Sequence, residues 1–212
     1  MEDPRALLTA LHQAAVQGAN PFTRTNNAVR EWISTSSFSS STRIHIFALG
    51  KAAATMTAGA TRAFNENGLS IAGGVIVAAA APSATATPEH GGGLPATLEF
   101  RIGDHPVPDL GSLAAADVIA RKVQAVQSGD IALVLISGGA TSLCAAPCDE
   151  LRDLIGHTAD AHQLLTQLVA TLHEYGLAIH EMNAIRRRLL RWGGGRLAVA
   201  LAARNVAEIR VL

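Results

Sequence analysis

Short apolar runs that alternate with stretches of helical composition constrain the fold of this chain more than any other feature. Each run is followed by a break in the pattern and usually by a helix. Strands this apolar are covered on both faces, which is typical of parallel sheets. The predicted strands are residues 43–49 (RIHIFAL), 73–80 (GGVIVAAA), 97–102 (TLEFRI) and 130–137 (DIALVLIS).

The remaining patterns complete an alternation of helices and strands. The predicted helices are 4–17, 51–67, 110–127, 149–175, 181–192 and a short helix from Arg196, and the last predicted strand is 206–212. Two stretches rich in Ser, Thr, Pro and Gly, residues 34–42 and 81–96, are predicted surface loops. We therefore predict one α/β domain over residues 1–212, a three-layer α/β/α, Rossmann-like fold with a mostly parallel sheet.

Charge and hydropathy argue against several classes of function. Lys and Arg number 17 and Asp and Glu number 17, so no global field attracts nucleic acid or an anionic membrane. Aromatic residues make up 4%, which offers few stacking platforms for RNA. No signal peptide and no run of 18 apolar residues occur, so we expect a cytoplasmic protein. Cys144 and Cys148 fit ordinary packing better than zinc ligation, the less favoured alternative.

Gly50 and Lys51 follow the first predicted strand. Ligands of open parallel sheets bind beyond the carboxyl ends of the strands, so both positions are candidates for a substrate site. An ammonium group at a helix N-terminus opposes the helix dipole, and a bound anion would reverse that cost. The alternative is an ordinary solvated lysine.

A glycine-containing loop follows the fourth predicted strand, in the stretch LVLISGGATSL. Glycine allows close approach to the main chain, and successive N–H groups at a helix start form an anion site to which hydroxyls can add donors. The loop matches neither the Walker pattern, nor the dinucleotide fingerprint, nor the nucleophile elbow. A tight turn without a ligand is the alternative. The predicted nucleotide-binding residues are Ser137, Gly138, Gly139, Ala140, Thr141 and Ser142.

Two further segments carry candidate binding residues. In RIGDHPVPDLGSL, residues 101–113, Asp109 is favoured as a helix cap, and His105 is either a donor to a small acid or phosphate or an ordinary loop histidine. In the arginine-rich stretch 180–198, Asn183 and Arg186 are three residues apart and are expected to face one cleft. The histidines form no metal-ligand pattern, and we predict no metal site from the chain's own side chains.

Four separated motifs resemble one known family. ALGKAA, GDHPVPD, LISGGATSL, and EMNAIRRRL with GGGRLA stand in the order and at the approximate spacings found in glycerate 2-kinases, in the N-terminal, DUF4147-type domain that precedes a MOFRL domain. The resemblance covers essentially the whole chain. It implies transfer of the γ-phosphate of ATP to D-glycerate, with Mg²⁺, in a cleft between two domains. It also implies a catalytic role for Lys51 and phosphate contacts from Ser137, Gly138 and Gly139.

The chain also departs from the family pattern. Arg188, Leu190 and Gly193 replace the usual histidine, serine and lysine of the substrate helix, and residues 144–160 lack the usual proline-rich turn. The 212 residues include no MOFRL domain, so we expect this chain to carry only one half of the active site and to show no turnover alone. We also expect it to self-associate through the apolar surface that the second domain would cover. The alternatives are a reductase acting on hydroxypyruvate and a binding domain without catalysis.

Overall fold

The computed structural model of the protein describes residues 3–81, 94–155 and 160–212. Five strands form one sheet in the order β3-β2-β1-β4-β5, and every pairing between neighbouring strands is parallel. The sheet is doubly wound, because β2 and β3 extend to one side of β1 while β4 and β5 extend to the other. The strands are β1 Ile44–Leu49, β2 Ile71–Ala78, β3 Leu98–Ile102, β4 Ile131–Ile136 and β5 Glu208–Val211.

Helices cover both faces of the sheet, which confirms the predicted three-layer α/β/α class. The first half contains α1 Pro4–Gly18, α2 Pro21–Thr35, α3 Ala53–Glu66 and α4 Leu110–Ala125. The second half contains α5 Ala140–Leu143, α6 Asp149–Ile155, α7 Asp160–Glu174, α8 Ile179–Leu189 and α9 Arg196–Ala202. None of the helices within the described ranges is long and apolar enough to cross a membrane.

The alternation of side chains along β1 explains the two cores. Ile44, Ile46 and Ala48 pack with α2 and α3 on one face, while Phe47 and Leu49 pack with α4 and α9 on the other. All six residues of β1 are buried, because successive side chains point to opposite faces and both faces are covered.

Several boundaries differ from the sequence prediction. Helix α2 was missed, and its last two residues occupy the start of the predicted loop 34–42. The helix predicted from Lys51 begins at Ala53, which leaves Lys51 in the preceding turn. The prediction of one helix over 149–175 is replaced by α6 and α7, and residues 156–159 lie outside the described part. Most of the predicted loop 81–96 also lies outside it.

Helix α2 packs closely on α3 through a polar contact. The Asn26 side-chain amide donates to the main-chain oxygen of Gly59 at 3.1 Å, and a β-carbon at Gly59 would collide with the main chain of Phe22. Helix α2 begins with Asn20 as its cap, whose side chain accepts from the N–H of Thr23 at 3.1 Å. Buried polar residues at this contact weaken the apolar periodicity from which the helix could have been predicted.

A buried carboxylate joins the amino ends of β1 and β4, on the side of the sheet opposite the candidate site. The Asp130 side chain is 4% exposed and accepts from His45 Nε2 at 2.8 Å, from Arg43 Nε at 3.1 Å and from the N–H of Gln127 at 2.9 Å. Burial lowers the pKa of His45 below its usual 6.5 against the opposing effect of Asp130, so the ring is a neutral donor at pH 7.

Candidate functional site

The loops that follow β1 and β4 lie side by side at the carboxyl edge of the sheet. Because the order of the strands reverses between these two neighbours, their loops flank the crevice in which doubly wound sheets bind ligands. The N–H of Lys51 donates to the oxygen of Gly138 at 2.9 Å, and the N–H of Ala52 donates to Ser137 Oγ at 3.0 Å. Ser137 therefore fixes the position of the Lys51 turn.

Gly50 allows these two loops to approach each other. Its φ is +125°, and a β-carbon built on it would overlap the side chain and the main chain of Ser137. Any other residue would be strained there and would push the loops apart. Gly50 was predicted as a substrate-binding residue, and the structure gives it a clear role in loop packing.

The loop after β4 presents free main-chain donors. Gly139 has φ +89° and precedes α5, and the chain turns there in a left-handed conformation that favours glycine. Within the described residues, the N–H groups of Gly138, Gly139 and Thr141 donate no hydrogen bond to the protein. Two consecutive N–H groups and a third two residues further on are thus free to donate to an anion, as in the concave anion-binding sites formed by turn backbone.

Lys51 and His105 flank Gly139. A β-carbon built on Gly139 would lie 3.0 Å from His105 Cδ2, 3.3 Å from His105 Nε2 and 3.4 Å from Lys51 Cγ. Both side chains are exposed, and neither makes a hydrogen bond or ion pair with another described residue. A cation and an imidazole thus lie beside the free N–H groups, and charge-assisted hydrogen bonds of this kind stabilise a bound anion.

The Ser142 hydroxyl joins two segments of the fold. Its hydroxyl lies 2.8 Å from the oxygen of Pro106 and 3.0 Å from the oxygen of Asp104, so its single proton is donated within the protein. This contact holds the His105 loop against α5. Thr141 is exposed and remains the hydroxyl of this loop that is available to a ligand.

The His105 loop is fixed from its other end by Asp104 and Ser112. The N–H of Asp104 donates to Ser112 Oγ at 2.9 Å, and the N–H of Ser112 donates to Asp104 Oδ2 at 2.9 Å. Asp109 caps α4, as predicted, by accepting from the N–H of Leu110 at 2.8 Å. These bonds position His105 without using its ring.

Asn183 and Arg186 line a polar cleft of about 430 Å³, together with Thr141 and His180. Their spacing on α8 predicted this shared orientation. Burial lowers the pKa of Arg186, but a guanidinium stays charged at neutral pH. No carboxylate among the described residues pairs with Arg186, so a partly buried cation is left for an anionic ligand.

A second, apolar cavity of about 260 Å³ lies on the other side of Leu190 and the turn Gly193–Gly194. Thr141 lines both cavities. The apolar cavity was not predicted from the sequence, although the run of three glycines marked the turn that forms one wall. The cavity depends on how this turn packs over the ends of β4 and β5, which sequence spacing does not reveal.

The described residues contain no preformed cluster of metal-ligating side chains. No three metal-ligating side chains cluster within residues 3–81, 94–155 and 160–212. The Asp104 carboxylate, which precedes His105, accepts from the N–H of Ser112 through Oδ2. In phosphoryl-transfer sites Mg²⁺ is held by one or two carboxylates together with substrate phosphates and water.

Comparisons with known proteins agree on one family. The family described as "Domain of unknown function (DUF4147)" matches residues 7–211. A protein of Agrobacterium vitis named "Putative hydroxypyruvate reductase" is 31% identical over 97% of this chain and 41% of its own length. "Glycerate 2-kinase" of Pyrococcus horikoshii is 27% identical over 98% of this chain and 43% of its own length. The chain thus spans less than half of each relative.

A solved structure supports the fold. The crystal structure of glycerate kinase from Thermotoga maritima superposes with a TM-score of 0.70 over 99% of this chain and 44% of that chain, at 23% identity. Its sheet and helices share the architecture described above.

Proposed function

The chain belongs to the DUF4147 family, and from this premise we propose that it contributes to transfer of the γ-phosphoryl group of ATP to D-glycerate, giving 2-phosphoglycerate. The observation that carries the proposal is the set of free N–H groups on Gly138, Gly139 and Thr141 beside Lys51. Relatives named glycerate kinase support the choice of reaction.

The proposed mechanism depends on positioning and charge. The transferring phosphoryl group passes through a loose transition state whose charge spreads over its equatorial oxygens, so fixed donors and cations stabilise it without a covalent intermediate. The free N–H groups of the loop 138–141 hold phosphoryl oxygens. Lys51 supplies the cation, and His105, which also lies against Gly139, donates a hydrogen bond.

The polar cleft holds the acceptor in this proposal. Arg186 binds the carboxylate of D-glycerate, because a guanidinium matches a carboxylate with two parallel hydrogen bonds. Asn183 donates to or accepts from a glycerate hydroxyl. Thr141 borders both the phosphate loop and this cleft, so the acceptor hydroxyl and the γ-phosphorus would lie on adjacent walls.

We propose that the opposite wall, a general base and the ligands of Mg²⁺ come from a second domain. This part of the proposal rests on the length of the relatives, of which the chain covers 41% and 43%. An active site between two domains has only part of its groups on each wall. We therefore expect residues 1–212 to bind ATP but to show no glycerate-dependent turnover alone.

The test compares two proteins in the same assays: residues 1–212 and the product of the complete reading frame that contains them. With ATP, Mg²⁺ and D-glycerate, we expect ADP and 2-phosphoglycerate from the complete product and none from residues 1–212. A steady rate of ~1 to 100 s⁻¹, normal for kinases, from residues 1–212 alone would show that the second wall is dispensable.

One relative's name suggests a second candidate, reduction of hydroxypyruvate. The same preparations are given NADH and hydroxypyruvate, and oxidation of NADH is followed by absorbance. NADH oxidation without glycerate-dependent ADP release by the complete product would replace the kinase proposal with the reductase. Binding of ATP with neither reaction would favour a binding domain.

A further inference from the structure

We propose that the apolar cavity beside the loop 138–141 receives the base of the nucleotide, while the triphosphate lies outside it on the free N–H groups. This inference rests on the proposed function, since it names the place where the base of ATP binds when the phosphates lie on the loop. The wall formed by Thr141 and Ala140 belongs to the cavity and directly follows Gly139. A nucleotide whose base lies in the cavity could therefore place its phosphates on the neighbouring loop.

The cavity is large enough for the planar base of a nucleotide but not for the whole nucleotide. Pockets that bury a whole drug-sized ligand measure roughly 300–1,000 Å³, whereas this cavity measures about 260 Å³. It is too small for an entire nucleotide and suits a planar base. The charged ribose-phosphate part has to remain at the mouth, where the free donors lie.

The lining of the cavity suits an aromatic ring. The last residues of three strands, Leu49, Ile136 and Val211, line the cavity. Cys144 adds a neutral thiol, because burial raises its pKa to about 12. Burial of an apolar ring surface against these groups is favourable, and a phosphate or carboxylate would be desolvated there without a partner.

Bare backbone forms the opposite wall and supplies polar contacts. Gly193, Gly194 and Gly195 line the cavity, and their N–H groups donate no hydrogen bond within the described residues. A β-carbon on Gly195 would meet nothing within 4 Å, so the space beside Gly195 is open. Ring nitrogens of a base are acceptors for such N–H groups, which an aliphatic occupant would leave unsatisfied.

Trp192 provides a direct readout of occupancy. The chain has two tryptophans: Trp192 lines the cavity, while Trp32 is 1% exposed in the core between α2 and the sheet. Adenosine, which carries no phosphate, should change the fluorescence of Trp192. The change should persist in Trp32→Phe and disappear in Trp192→Phe.

The decisive variant is Ala198→Leu, with Ala202→Leu as its matched control. Ala198 lines the cavity from α9, and leucine maintains helix propensity while filling the space. Ala202 is the exposed last residue of the same helix and does not line the cavity. Calorimetry on the purified protein gives the affinities of adenosine, ATP and inorganic tripolyphosphate.

We expect Ala198→Leu to weaken adenosine and ATP at least tenfold and to leave tripolyphosphate within twofold, while Ala202→Leu changes none of the three. Adenosine affinity within twofold of the parent in Ala198→Leu would overturn the inference, as would an equal loss for tripolyphosphate. If the protein binds tripolyphosphate but not adenosine, the inference about the cavity is overturned and the proposed phosphate-binding role of the loop stands. Adenosine binding that Ala198→Leu abolishes, with tripolyphosphate binding absent, would support the cavity and contradict the proposed function.

Discussion

Replacement of Lys51 by methionine separates a ligand-binding role from a structural role. The Lys51 side chain is exposed and makes no ion pair or hydrogen bond with another described residue. Its removal should change the free energy of unfolding by no more than about 0.5 kcal/mol, which is typical of surface substitutions away from special features. Methionine retains the aliphatic stem that lies against Gly139.

The same change should weaken ATP binding substantially. A hydrogen bond to a charged group contributes about 1.5–3 kcal/mol, which corresponds to roughly a 10- to 150-fold increase in Kd. The ammonium group is exposed, so salt screens its attraction to phosphate. The difference in affinity between parent and variant should therefore shrink as the salt concentration rises.

The matched control is Lys122→Met, which removes the other lysine of the chain. Lys122 Nζ lies 3.1 Å from Glu99 Oε2 in a partly exposed ion pair. Its loss should cost up to about 1 kcal/mol of folding stability and leave ATP affinity unchanged. Calorimetry with ATP and urea unfolding measure both effects. ATP affinity within twofold of the parent in Lys51→Met, or an equal loss in Lys122→Met, would refute the role of Lys51.

Three further predictions concern the loop and the buried carboxylate. Gly139→Val should abolish ATP binding while the protein remains folded by circular dichroism, because the left-handed φ and the contact with His105 exclude a branched side chain; unchanged affinity in a folded variant would reduce the loop to a simple turn. Asp130→Ala should destabilise the fold by about 2–6 kcal/mol, because the neutral His45 ring and the N–H of Gln127 each lose a buried acceptor at a cost of about 1–3 kcal/mol, whereas Arg43→Ala should cost at most about 1 kcal/mol; equal losses in urea unfolding would contradict this. The lowered pKa of His45 should make the parent lose stability as the pH falls below 6.5, because the unfolded chain takes up the proton first; His45→Gln should lose less, and identical pH profiles would place the sensitivity elsewhere.

The architecture could be predicted from sequence because its determinants are local. The strand that begins at Ile131 is apolar throughout, and the strands that begin at Ile44 and Leu98 carry only one and two polar residues. The boundaries of the strands therefore agree within about two residues. Helix α2 was missed because Thr25 and Asn26 are polar yet buried, which hides the apolar face. Its start was nevertheless marked by Asn20 and Pro21, a capping residue followed by proline at the first helical position.

The candidate site was only partly predictable, because its contacts join distant segments. The position of Lys51 after β1 and of Gly139 after β4 indicated a shared edge. The approach of His105 to Gly139 depends on Ser142, which holds the oxygen atoms of Asp104 and Pro106. The sequence indicated Ser142 as a possible donor to a ligand but could not reveal that its hydroxyl proton is donated within the fold.

The hydrogen bonds that join the three loops imply strong epistasis at this edge of the sheet. Ser137 connects the β4 loop to the turn at Ala52, and Ser142 connects the start of α5 to the His105 loop. Residues in one hydrogen-bonded network show interaction energies of about 0.5–3 kcal/mol, whereas distant sites are additive. Substitutions at these serines should therefore change the effect of one another and of substitutions at Gly139. A homologous loop transplanted without its two neighbours would inherit the sequence of the site but not its geometry.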